Sequence, residues 1–238
     1  MCMSTRIWII GDSWGDEWGT FSMQGCKPSE GLQHTLAQRL GLHSQDVVNL
    51  CRGGIGNDYA LRIIETAIIK GEHPPTHIIQ FWTEALRDWY KDYDTKDKPS
   101  WSLVTAVDHI TKRQQEDVRE FRRSIGNPQY AAIGGMSPLN DSHAVVTGAS
   151  FSIKDWRASL LECELDYYAS QLLGSYGSFN IYPRNTDKPK TKRKLLDKVN
   201  QIMDMQIRSK AFPDNGHPGW PEFKPLIDKL VVWIQGCP

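Results

Sequence analysis

The sequence is short of several things, and each shortage closes a class of explanation. Net charge is one: 28 Lys and Arg stand against 28 Asp and Glu across 238 residues. With no basic surplus to neutralise phosphates, neither nucleic acid nor an anionic membrane is implied as a partner. Paired cysteines are another. Cys2, Cys26, Cys51, Cys163 and Cys237 are odd in number and include no Cys-x-x-Cys pair, which argues against a disulfide framework and against a zinc knuckle. No apolar run approaches the length of a membrane span, and strand-like residues begin by Arg6, before a basic and then apolar leader would fit. A cytoplasmic protein with reduced thiols is the expectation. A Walker lysine, an HExxH pair and any His/Cys cluster are also missing, so neither a metal nor a cofactor is expected. No linker of low complexity divides the chain, and residues 1–238 are expected to form one domain.

What is present is alternation. "TRIWII" (5–10) reads as a buried strand, and Leu32, Leu36 and Leu40 then follow at helical spacing, with Ser29 as cap and Gly41 as stop. "DVVNL" (46–50) is a second strand. Asn57 is read as the cap of the helix after it, which carries Ala60, Ile63, Ile64 and Ala67 and closes at Gly71. "THIIQFW" (76–82) is a third strand. Val107, Ile110, Val118, Phe121 and Ile125 mark a helix over 102–125 that Gly126, Asn127 and Pro128 end, and "YAAIGGM" (130–136) is a fourth strand. Strand and helix in turn predict an α/β three-layer sandwich, a central parallel sheet of about five strands with helices on both faces.

From about 137 to 194 the pattern weakens, as expected of an insertion or lid. There "HAVVTGASFS" (143–152) reads as a short strand, 154–174 as a loose helix, and "PRNTDKPKTKRK" (183–194) as a solvated basic loop. Leu195, Val199, Ile202, Met203 and Gln206 then share a helical face. The last helix has Pro221 in its first turn, an apolar stripe of Phe223, Leu226, Ile227, Leu230, Val231 and Ile234, and Gly236 as stop.

In an open parallel sheet, ligands gather at the carboxyl ends of the strands. "IIGDSWGDEWG" (9–19) places Ser13 just past the end of the first. A serine there becomes a nucleophile when a histidine accepts its proton and a carboxylate orients that histidine. His217 has Asp214 three residues before it in "FPDNGHPGW", a turn immediately before the final helix and on the same rim as Ser13. Taken alone, the pair is better read as a turn capped by Asp214 with His217 as a surface histidine. "RGGIGNDYA" has the opening glycines of a dinucleotide fingerprint, but Tyr59 stands where the third glycine belongs.

Together these motifs resemble the SGNH (GDSL-type) hydrolases, a family of ester hydrolases with a flavodoxin-like fold. "GDSW" (11–14) matches the first block, with Trp14 in place of the usual leucine. "NLCRGGIG" (49–56) is similar to the second block and "DNGH" (214–217) to the last. The resemblance implies Ser13 as nucleophile, His217 as base and Asp214 as its orienting acid. It implies an oxyanion hole from the amides of Ser13 and Gly54. The third block, roughly Gly-x-Asn-Asp, departs: the third strand runs into "QFWTEALRD", with no asparagine. Thr83 stands near that place, and its hydroxyl is the substitute donor considered; a missing donor costs on the order of 3 kcal/mol of transition-state stabilisation.

The activity implied is a serine esterase acting through an acyl-enzyme, without a cofactor, on a small-acyl ester such as an acetylated carbohydrate. Trp14, Trp18, Trp82 and Trp220 flank the motifs and are read either as aromatic walls for such a substrate or as ordinary packing. Asn57 is a further candidate for lining the site. Asp16 and Glu17 are read as a polyol contact or a solvated acidic turn, and Arg87 as an anion contact or a partner of Glu84 or Asp88. Two alternatives stand beside the esterase: a binding or structural module with the same fold and little turnover, and an acyltransferase.

Overall fold

A computed structural model of the chain describes residues 4–12, 14–16, 31–83, 85, 103–135, 138–156 and 220–236. Five strands, Ile7–Gly11 (β1), Val47–Asn49 (β2), His77–Trp82 (β3), Gln129–Gly134 (β4) and Phe151–Ile153 (β5), form one sheet. Every pairing is parallel and the order is β2-β1-β3-β4-β5. That is the flavodoxin-like order of a doubly wound sheet, in which β1 and β3 flank the point where the winding reverses. The helices are Leu32–Leu40 (α1), Asn57–Ile69 (α2), Leu103–Ser124 (α3), His143–Thr147 (α4) and Trp220–Gly236 (α5). The chain therefore has the α/β fold with a central parallel sheet of five strands that its alternation predicts.

Strand parity divides the core in two. Ile7, Ile9, Ile79, Phe81, Ala131 and Ile133 face one way, against Leu32 and Leu36 of α1 and Phe223, Leu226, Ile227 and Leu230 of α5. Trp8, Ile10, Ile78, Tyr130 and Ala132 face the other, against Ala60, Leu61 and Ile64 of α2 and Val118 of α3. Because side chains alternate along a strand, a strand covered on both faces is apolar throughout. This is why β1 is "IWIIG", buried at every position. Each fully buried aliphatic side chain contributes about 2 kcal/mol.

Several boundaries differ from the sequence reading. Residues 143–152 are not one strand. His143–Thr147 is a short helix closed by Gly148 in the left-handed conformation, and β5 begins only at Phe151. The helix is held from outside: the buried Arg122 guanidinium donates from Nη1 to the carbonyls of Thr147 and Gly148, at 2.6 and 3.0 Å, and from Nε and Nη2 to that of Pro128. Asn57 is not a cap either. Gly56 occupies the N-cap of α2, and the Asn57 side chain turns inward.

Among the described residues no helix is long and apolar enough to cross a membrane. The N-cap of α1 is Gly31 and not Ser29; Ser29 itself, Glu84, Arg87, Asp88, the basic stretch 183–194 and the helical face from Leu195 to Gln206 lie outside the described residues, as does most of 137–194.

Candidate active site

The sheet order sets the site. β1 lies between β2 and β3, so the loop leaving β1 is flanked by the loop after β2, with Gly54, and by Thr83, the first residue past β3. Ser13, Trp18, Asp214 and His217 lie outside the described residues, while Trp220 is the first residue of α5.

The turn around position 13 is built from its neighbours. Gly11 ends β1 at φ +132°, and a Cβ there would sit 2.3 Å from the Phe81 carbonyl oxygen, so only glycine fits against β3. The side chain of Asp12, 1% exposed, takes the Trp14 N–H on Oδ1 at 2.9 Å, and its carbonyl takes the Gly15 N–H at 3.2 Å. Asp12 thus binds the backbone N–H groups of both Trp14 and Gly15.

The second-block loop is tied to this turn at three points. Arg52 N–H donates to the Gly11 carbonyl at 3.0 Å, Asn49 Nδ2 to the Gly15 carbonyl at 2.8 Å, and Gly53 N–H to Asp16 Oδ2 at 3.1 Å. Asn49 also accepts the Cys51 N–H at 3.0 Å. Gly54 follows with φ +77°, in the left-handed region that favours glycine.

On the other side, Asn57 reaches across from α2 to the end of β3. Its Oδ1 accepts the Thr83 N–H at 3.0 Å, and its Nδ2 donates to the Thr83 carbonyl at 3.1 Å and to Gln114 Oε1 at 3.2 Å. Both amide hydrogens are thereby engaged, and the side chain is 2% exposed. Asn57 braces Thr83 rather than facing a ligand. The Thr83 hydroxyl is buried and has no hydrogen-bond partner among the described residues, an uncommon condition for a buried polar group.

Of the four tryptophans read either as walls or as packing, Trp14 and Trp82 are packing residues. Trp14 is 1% exposed and packs edge-on against Trp156 at 5.8 Å, in the core between the sheet, α1 and α5. Trp82 lies in the core on the other face, because it shares the parity of Ile78. Its Nε1 donates to the Tyr130 hydroxyl at 2.8 Å, and that hydroxyl donates to Gln80 Oε1 at 2.8 Å. Burial pushes the Tyr130 hydroxyl far up from its usual range, so it stays protonated. The His143 ring stands edge-on to Trp82, 4.3 Å between centroids. Its Nδ1 accepts from Gln115 Nε2 at 3.0 Å, which leaves the proton on Nε2, and burial lowers its pKa to about 4.

Three positioning groups were missed in the sequence: Asn49, Asp16 as a backbone acceptor, and Gln114. Gln114 left a trace. It stands midway between Ile110 and Val118 on the apolar stripe of α3, where a buried polar residue needs a partner.

No family model and no curated protein matches the sequence. Solved structures similar to the chain include these two. One is a carbohydrate esterase whose active site displays divergent catalytic and non-catalytic binding functions, 11% identical, with 97% of this chain and 68% of that one covered and a TM-score of 0.45. The other is TesA, 10% identical, with 97% of each chain covered and a TM-score of 0.41.

Proposed function

We propose that the protein is a serine ester hydrolase. Ser13 attacks the acyl carbonyl, a Ser13–acyl bond forms, and His217, oriented by Asp214, takes the hydroxyl proton and hands it to the departing alcohol. Water activated by His217 then cleaves the acyl-enzyme and restores Ser13. The amides of Ser13 and Gly54 and the Thr83 hydroxyl hold the oxyanion. A small acyl ester, such as an acetyl group on a carbohydrate, is the substrate class proposed.

The observation that carries this reading is the placement along one edge of the sheet, at the carboxyl ends of its strands, of Asp12, bonded to the Trp14 and Gly15 N–H groups, with Gly54 in the left-handed conformation on one side and, on the other, the Thr83 hydroxyl, which has no partner among the described residues. That hydroxyl is the donor the third block otherwise lacks. A second reading, a binding module without useful turnover, is favoured by Asn57: this asparagine, beside the third-block place, spends both amide hydrogens inside the fold.

Turnover of p-nitrophenyl acetate separates the two. The esterase reading expects hydrolysis that Ser13→Ala and His217→Ala each reduce by about 10³-fold or more. Equal rates in wild type and Ser13→Ala would remove the esterase reading and leave the binding module.

A further inference from the structure

We infer that Asp16 is a positioning residue for the oxyanion hole, fixing the Gly54 amide through the peptide before it; the inference rests on the esterase reading. An oxyanion donor acts only when it already points at the charge that develops, so whatever fixes its peptide plane contributes to the rate. Among the described residues no heavy atom lies within 4 Å of the place a Cβ on Gly54 would occupy, and its φ of +77° is one that glycine leaves freely. Its orientation comes from the hydrogen bonds of its neighbours.

Two of these are in view. Arg52 N–H is held by the Gly11 carbonyl, which anchors the loop where it leaves the sheet. One residue on, Gly53 N–H is held by Asp16 Oδ2 at 3.1 Å. This bond occupies the amide immediately before Gly54, and the Gly54 amide is the next along the loop. Asp16 stands three residues after Ser13 and just past the turn that Asp12 closes. Its carboxylate therefore links the nucleophile's loop directly to the loop that supplies the donor. A carboxylate accepting a backbone N–H makes a charge-assisted bond, stronger than a neutral one.

The oxygen positions the loop, and the charge does not help the chemistry, since a fixed negative charge beside an oxyanion opposes its formation. The two contributions separate by substitution. Asp16→Asn keeps an acceptor oxygen in place and loses the charge. Asp16→Ala loses both.

The test is the rate at which a fluorophosphonate labels the protein, followed by intact mass, together with kcat and KM for p-nitrophenyl acetate. Asp16→Ala is expected to lower both the labelling rate and kcat by about tenfold with KM within about twofold, and Asp16→Asn to restore them to within about threefold of wild type. Thermal unfolding of the variants is expected to match wild type, because the bond lies at the surface. Should Asp16→Ala fail to fold, Asp16→Glu misplaces the same oxygen and is expected to show a similar loss of kcat. Wild-type labelling that depends on Ser13 but is equally fast in the Asp16 variants would overturn the inference alone. No Ser13-dependent labelling of wild type would overturn the esterase reading and the inference with it.

Discussion

Asn57 and Thr83, 26 residues apart, form a two-point bridge in which one side-chain amide satisfies both the N–H and the carbonyl of the other residue's backbone, at 3.0 and 3.1 Å. The bridge joins the start of α2 to the end of β3 inside the core. Asn57→Ala would strand the Thr83 N–H and carbonyl and remove one partner of the Gln114 side chain. A loss of about 2 to 4 kcal/mol is expected, measured as the change in urea unfolding free energy. A change below about 0.5 kcal/mol would mean the bridge is not formed in solution.

Thr83 allows stability and activity to be separated. Thr83→Val replaces a buried hydroxyl that has no partner among the described residues with a methyl group of the same shape. Stability is expected to hold or rise, because no hydrogen bond is lost. Ester hydrolysis is expected to fall about 10²-fold, the usual effect of deleting one oxyanion donor, and Thr83→Ser to retain most of it. Unchanged kcat in Thr83→Val would assign the third donor elsewhere.

Gly11→Ala combines a steric clash with an unfavourable backbone. At φ +132° with the Phe81 carbonyl oxygen 2.3 Å from the new Cβ, the substitution has to push β1 and β3 apart. We expect a destabilisation of more than about 3 kcal/mol, read from the chemical denaturation midpoint. Near-wild-type stability would contradict the register Gly11↔Phe81.

His143 makes stability depend on pH. Burial disfavours its charged form and lowers the folded pKa to about 4, from the ordinary 6.5. The unfolded chain therefore takes up the proton first as pH falls. The contribution of His143 is complete above about pH 6.5 and declines until about pH 4, for a total of up to about 3 kcal/mol. His77, lowered by burial, works in the same direction; Asp117, raised chiefly by burial, works against it. Urea unfolding at pH 7.5 and 5.0 is expected to show the loss, and His143→Gln to flatten most of it.

Much of the fold was legible because burial writes itself into periodicity. β1, β3 and β4 are apolar runs because helices cover both faces, and the stripe from Phe223 to Ile234 shows α5 because one side of it meets the sheet. α4 was read as strand because five residues are too few for a helical period, and because Arg122 closes it from 25 residues away. Trp14 and Trp82 were read as candidate walls because proximity to a motif in sequence does not say which side of the sheet a ring takes. For Trp82 the parity of β3 already held the answer. Asn57 was assigned to a helix cap because local chemistry favours asparagine there, while its actual partner, Thr83, is a contact that only the parallel pairing of β1 with β2 and β3 brings into reach. The same is true of Asp16 and Gly53.

The central claim is that the turn after β1 presents an activated serine. Intact-mass analysis after exposure to a fluorophosphonate tests it without a choice of substrate. One adduct per chain, mapped to Ser13 and absent from Ser13→Ala and His217→Ala, is the predicted result. A folded wild-type protein that takes no adduct, or takes it equally in Ser13→Ala, would contradict the account.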